Sequence, residues 1–121
     1  MVYTWSFRKL IMEIKFLKKP RIFSVNEIEI KDYGKIKLDK NEMVSFVTKS
    51  GKEYDFISKD WGFYVTPSIN GRLKKEGFKI AMVINKHRKI YIMAVEKEKK
   101  KTTLFKQYCA KEGLKILKWL S

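Results

Sequence analysis

Two short runs of cations are the residues best placed to do chemistry. Arg72, Lys74 and Lys75 close the stretch Thr66-Pro67-Ser68-Ile69-Asn70-Gly71-Arg72, and Lys99, Lys100 and Lys101 follow Lys97 just before Thr102-Thr103. Ammonium and guanidinium groups neutralise phosphate, so the chemistry offered is anion binding rather than bond breaking. Both runs lie where a helix is expected to begin. The first turn of a helix presents unpaired N–H groups and a partial positive charge. Lysine there opposes the dipole by a few tenths of a kcal/mol, a conflict that a bound anion relieves. Ser68 and Asn70 would add neutral hydrogen bonds. The predicted binding set is therefore Ser68, Asn70, Arg72, Lys74, Lys75, Lys99, Lys100 and Lys101. Gly71 inside a helix costs ~1 kcal/mol relative to alanine, which points to a close approach there by a strand or a ligand.

No comparable set suggests catalysis. His87 is the only histidine and falls in an expected turn among Lys86, Arg88 and Lys89, with no base-orienting partner nearby. Cys109 is the only cysteine and reads as a buried, inert thiol beside Phe105 and Tyr108. One histidine and one cysteine so far apart give no zinc-ligand spacing, and no phosphate-binding glycine loop occurs. An enzyme using Asp55, Asp60 or Glu96 would need a pairing in space that the sequence does not reveal. The expectation is a binding protein with no catalytic residue, no metal ligand and no cofactor.

Net charge agrees with an anionic partner. Twenty-eight Lys and Arg stand against thirteen Asp and Glu, for +15 over 121 residues. Residues 61–121 hold fifteen of the cations and four of the acids, so the surplus is concentrated in the second half. Such asymmetry is an electrostatic footprint for nucleic acid or another polyanion. The lone cysteine excludes an internal disulfide framework and suits a reducing, cytoplasmic setting. No apolar run approaches the ~20 residues of a spanning helix, and no signal-peptide pattern opens the chain.

The elements that must position these cations follow from periodicity. Thr4-Trp5-Ser6-Phe7 through Lys19 reads as a helix ended by Pro20. Phe7, Leu10, Ile11, Ile14 and Leu17 form its apolar stripe, with Arg8, Lys9, Lys15 and Lys18 on the polar side. Phe23 to Lys31 and Lys35 to Asp39 read as strands joined by a hairpin at Asp32-Tyr33-Gly34. Met43 to Lys49 and Lys52 to Ser58 flank a tight turn at Ser50-Gly51. Trp61 to Thr66 is the next strand, with Trp61, Phe63 and Val65 directed to the core. A helix follows from Thr66-Pro67 to Glu76, stopped at Gly77. Phe78 to Ile84 and Lys89 to Val95 are strands around a turn at Asn85 to Arg88. A second helix, capped near Thr102 or Thr103, ends at Gly113, and Leu114 to Leu120 closes as a strand.

This second half has the order β-α-β-β-α-β of ferredoxin-like domains. The order also resembles that of RNA-recognition motifs, which implies bases stacked on exposed sheet aromatics such as Tyr64 and Tyr91. Against that implication, Arg88 to Glu96 lacks the glycine-aromatic pattern of such motifs, and these strands are apolar on both parities, as in sheets covered on both sides. Base stacking on an open sheet is set aside. The expected architecture is one α+β domain: an N-terminal helix with β-hairpins over residues 1–59, packed with a ferredoxin-like βαββαβ part over 60–121 around a mostly antiparallel sheet.

The functional expectation is a small basic protein that grips nucleic acid or another polyanion non-specifically through lysine-rich helix N-termini. Two alternatives are carried with it. One is a non-enzymatic interaction or regulatory subunit, as a homodimer or with another protein. The other is a binder of a phosphate or sugar ligand at Asp60 to Arg72.

Overall fold

The structure, a computed structural model, describes the backbone of residues 2–6 and the whole of residues 13–121. Among the described residues there are nine strands and two helices: β1 Val2–Ser6, β2 Glu13–Val25, β3 Ile28–Lys37, β4 Met43–Val47, β5 Glu53–Lys59, β6 Gly62–Thr66, α1 Arg72–Lys75, β7 Phe78–Ile84, β8 Ile90–Glu96, α2 Lys99–Glu112 and β9 Lys115–Trp119. The strands form three sheets, ordered β1-β2-β3, β4-β5-β6 and β8-β7-β9. The chain divides into two compact units, Met1–Met43 with Ile57–Tyr64, and Val44–Phe56 with Val65–Ser121.

In the first unit β1, β2 and β3 make an antiparallel meander. This overturns the predicted N-terminal helix. Phe7, Arg8, Lys9, Leu10 and Ile11 lie outside the described residues, but Glu13–Val25 is strand. Ile14 and Phe16 alternate with Glu13 and Lys15, so the same residues satisfy a period of two as well as one of 3.6. Long-range pairing decides between them: Phe16 opposes Tyr3 on one side and Gly34 on the other. Pro20, expected to stop a helix, falls where the β2–β3 register shifts between Phe16 and Arg21. A bulge tolerates the missing proline N–H.

The first hairpin turn also moves. Asn26 and Glu27 both have positive φ, 49° and 69°, and join Val25 to its partner Ile28 as a two-residue turn. Asp32-Tyr33-Gly34, predicted as the turn, lies inside β3 opposite the bulge. Gly34 has φ +134°, and a Cβ there would stand 1.9 Å from the Lys15 carbonyl oxygen. The Gly34 N–H donates to Asp32 at 3.0 Å and Arg21 pairs with the same carboxylate at 3.0 Å. These two contacts, the Gly34 bond foremost, hold the Asp32 carboxyl below its ordinary pKa.

The turn at Ser50-Gly51 is present, with the Thr48 N–H donating to the Lys52 carbonyl at 2.8 Å. Trp61 and Phe63, expected in the core, are exposed, Trp61 by 70%, and so is Val65.

The second unit is built on β7. β8 and β9 flank β7 and are both antiparallel to it, hence parallel to each other. α2 makes the crossover between them, a split βαβ unit. The ferredoxin-like topology is not formed, although the linear order βαββαβ is. Its first strand, β6, is hydrogen-bonded next to β5 and takes no place in the sheet of β7. Only two residues separate β5 from β6, and Gly62 at φ +141° supplies the turn, so local closure wins over pairing across a longer loop.

Leu73, Phe78 and Ile80 are buried together with Tyr54, Ile69 and Leu120 around them. On the opposite parity of β7, Ala81 and Val83 are fully buried. α2 packs against the sheet, its Phe105 ring edge-on to Trp119 of β9 at 5.8 Å. Among the described residues no helix is long and apolar enough to cross a membrane.

Candidate functional site

The backbone brings the two predicted cation runs to one end of the β7 sheet. Phe78 opens β7 and opposes Glu96, the last residue of β8. Just outside that pair the Lys97 N–H donates to the Gly77 carbonyl at 2.8 Å. Gly77 terminates α1, with its N–H on the Lys74 carbonyl at 3.1 Å, and Lys97 leads into α2. That one backbone bond joins the segment that carries Lys74 and Lys75 to the segment that carries Lys97, Lys99, Lys100 and Lys101. Lys52 joins them: its side chain lies along Gly77, with Cε 3.1 Å from where a Cβ would be.

Each predicted binding residue has a definite place. Lys74, Lys75, Lys99 and Lys100 are exposed and form no ion pair among the described residues. Arg72 pairs with Asp55 at 3.4 Å, and that carboxylate also accepts from the Ser45 hydroxyl at 2.7 Å. Lys101 pairs with Glu96 at 3.6 Å. The Ser68 hydroxyl accepts the Arg72 N–H at 3.3 Å and is thereby occupied in its own turn. Asn70 is exposed on the same turn.

The helix expected over residues 67–76 shrinks to the single turn Arg72–Lys75, with Gly71 as its cap. The close approach that Gly71 signalled is internal, because a Cβ there would lie 2.6 Å from the Ser68 hydroxyl oxygen. α2 begins three residues earlier than Thr102, so Lys99, Lys100 and Lys101 form its first turn. That turn holds no acid and no side-chain cap.

The cluster is positive but not uniformly so. Lys52, Arg72, Lys74, Lys75, Lys97, Lys99, Lys100 and Lys101 stand with Asp55, Glu76, Glu96 and Glu98. Glu96 is 10% exposed. The Ser50 hydroxyl donates to it, and this bond, with the Lys101 charge, lowers its pKa. The opposite end of the sheet carries a second basic group. Lys86, Arg88 and Lys89 cross the β7–β8 turn, and Lys115 opposes Ile84 in β9. Asn85 Oδ1 shapes that turn by accepting from the N–H groups of His87 and Lys89, both at 2.9 Å. His87 is exposed there, as expected for a turn residue.

The same unit holds a half-open cavity of about 690 Å³ that the sequence did not reveal. Phe78 and Ile80 of β7 with Ile92 and Ala94 of β8 line one wall. Further lining residues are Phe46 and Val47 of β4, Thr48 just after it, and Tyr54 and Phe56 of β5. Phe46 and Phe56 meet edge-on at 5.3 Å, and Tyr54 stacks on Phe78 at 5.9 Å. Burial raises the Tyr54 hydroxyl pKa. No signal short of the long-range pairing could have found this cavity, because its lining comes from five strands, β4 to β8, and from Thr48, Ile69 and Leu120 outside them. Lys52 and Ser50 were missed as site residues for the same reason.

Among the described residues no group of three or more His, Cys, Asp or Glu could hold a metal ion. No protein-family model, curated protein or solved structure matches the chain.

Proposed function

We propose that the second unit binds nucleic acid through the phosphate backbone, using the cations gathered at the Phe78–Glu96 end of its sheet. The observation that supports this reading is the convergence of two runs, more than twenty residues apart in sequence, on either side of the Gly77–Lys97 bond. Four of these side chains, Lys74, Lys75, Lys99 and Lys100, are exposed and free of ion pairs among the described residues. They are the contacts assigned to phosphate. Arg72 and Lys101 are held by Asp55 and Glu96 and contribute to the local potential.

Binding of this kind carries no sequence information and depends on counterion release. The affinity for duplex DNA should fall steeply between roughly 50 and 200 mM salt, by about 0.9 log unit per log unit of salt for each phosphate engaged. Fluorescence anisotropy with labelled single- and double-stranded oligonucleotides measures this. Absence of binding at the lower salt would refute the proposal. A buried single cysteine, Cys109, suits the reducing, cytoplasmic location where nucleic acid is met.

A further inference from the structure

We infer that the free edge of β8 pairs with the β8 edge of a second copy of this chain, joining two β8-β7-β9 sheets into one of six strands. The inference is independent of the nucleic-acid reading and rests on other residues. β7 is the only hydrogen-bonded neighbour of β8 among the described residues. The bonds to β7 fix which backbone groups of β8 are already used. At one end the Lys97 N–H donates to the Gly77 carbonyl, and at the other the Asn85 N–H donates to the Lys89 carbonyl at 2.9 Å. Between them the register runs unbroken from Ile84 with Ile90 to Phe78 with Glu96. In an antiparallel ladder the residues that bond to a given neighbour alternate, so Tyr91, Met93 and Val95 bond to β7. Ile90, Ile92, Ala94 and Glu96 turn their N–H and C=O groups to the open side.

Nothing along that side guards it. Sheet edges are commonly blunted by charged side chains, proline or bulges. β3, which also has one neighbour, carries Glu29, Lys31, Asp32, Lys35 and Lys37. β8 has no charge before Glu96, no proline and no bulge against β7. Ile90 and Ile92 are 57% and 59% exposed, and Ala94 is exposed beside them.

The strand is its own complement. A two-fold axis through Met93, normal to the sheet, pairs all seven residues of β8 and keeps Ile90, Ile92 and Ala94 of both copies on one face. Its hydrogen-bonded pairs are the residues whose backbone groups are free. Ile92 falls opposite Ala94 of the second copy and Ile90 opposite its Glu96, each pair occurring twice. A large side chain thus meets a small one beside the axis. Ile92 and Ala94 also line the cavity, so the two cavities come side by side across the seam. Past the strand ends Arg88 falls opposite Glu98 of the second copy. Both are exposed, and neither forms an ion pair among the described residues. Lys89 falls opposite Lys97, and each copy carries +15, so charge opposes the pairing until salt screens it. A register moved by two residues would leave part of β8 unpaired. One strand pair is a small interface, which makes the dimer weak and reversible.

Sedimentation equilibrium of the unaltered protein, from roughly 5 to 500 μM at about 50 and 500 mM salt, tests the pairing. A reversible dimer is expected, and nothing larger, because the two-fold uses the β8 edge of both copies. It should tighten with salt, whereas oligonucleotide binding weakens. Residue-resolved amide exchange by NMR reads the edge itself. The amides of Ile90, Ile92 and Ala94 should exchange fast in dilute protein and slow as the dimer fills. Those of Tyr91, Met93 and Val95 should be protected throughout. Ile92→Lys, which sets like charges beside the axis from an exposed position, should weaken the dimer roughly tenfold or more. Arg88→Glu should weaken it about two- to fivefold although it lowers the net charge, and adding Glu98→Arg should restore it. A chain monomeric throughout, an assembly that grows beyond two, or slowed exchange that spares Ile92 and Ala94 would each overturn the inference. So would an undiminished dimer of Ile92→Lys, which would put the contact elsewhere. The concentration series and the exchange use the unaltered protein, so the test stands even if a variant fails to fold.

Discussion

The Lys97 N–H donates to the Gly77 carbonyl at 2.8 Å, and this one bond fixes the end of α1 against the start of α2. Gly77 can serve there because it adopts φ +100° and leaves room for the Lys52 stem. A sheet pairing, Phe78 with Glu96, thereby sets the spacing of lysines that no local motif relates. The geometry has consequences for stability, for pH dependence and for binding.

Gly34→Ala should destabilise the first unit by on the order of 2–3 kcal/mol, because the new methyl would overlap the Lys15 carbonyl at a φ that L residues avoid. Gly51→Ala, with positive φ but nothing within 4 Å, should cost only about 1 kcal/mol. Urea denaturation of the two variants checks the ranking; equal losses would contradict the bulge geometry.

Leu73 is fully buried in the single turn of α1. Leu73→Ala should cost about 2–5 kcal/mol, as for other large-to-small core changes. Leu104→Ala, at an exposed position on α2, should lie within about 0.5 kcal/mol of the unaltered protein. Chemical denaturation monitored by tryptophan fluorescence gives both values.

Glu96 titrates below its ordinary value of 4.5, chiefly because the Ser50 hydroxyl and then Lys101 favour the carboxylate. A depressed folded pKa means that this contribution to stability is complete above the ordinary value. It is lost as pH falls through the folded one. Glu96→Gln should therefore lower stability at neutral pH and flatten its decline in acid. Denaturation midpoints across that range report the slope; an unchanged slope would remove Glu96 from the account.

Burial raises the Cys109 thiol pKa, so the reactive thiolate is scarce as well as shielded. A disulfide reagent should modify the native protein slowly, and denaturant should speed the reaction sharply. Fast labelling of the folded chain would place Cys109 at the surface instead.

How far the sequence could be read depended on how local each signal was. Phe78 to Ile84, the turn at Asn85, Ile90 to Val95 and the stop at Gly113 were legible because apolar runs and turn residues act over a few positions. Glu13 to Leu17 was not, since its pattern fits two periods and only pairing with Tyr3 and Gly34 separates them. Glu27 in the left-handed region defies its usual preference, so the hairpin turn begins at Asn26, six residues before the expected Asp32. β6 was recognised as a strand but given the wrong neighbour, because linear order does not state which strands pair. The cations were found by type, while Lys52 and the cavity depend on contacts between distant residues.

The phosphate-binding account is tested most directly by oligonucleotide anisotropy on two charge-reversal variants of equal size. One carries Lys74, Lys75, Lys99 and Lys100 changed to Glu; the other carries Lys86, Arg88, Lys89 and Lys115 changed to Glu at the opposite end of the sheet. The account expects the first to lose binding at roughly 50 mM salt, and to shed about 0.9 from the salt slope for each lost contact. The second should retain most of both. Equal losses in the two variants would show that net charge alone attracts the nucleic acid, and would contradict a site at the Gly77–Lys97 junction.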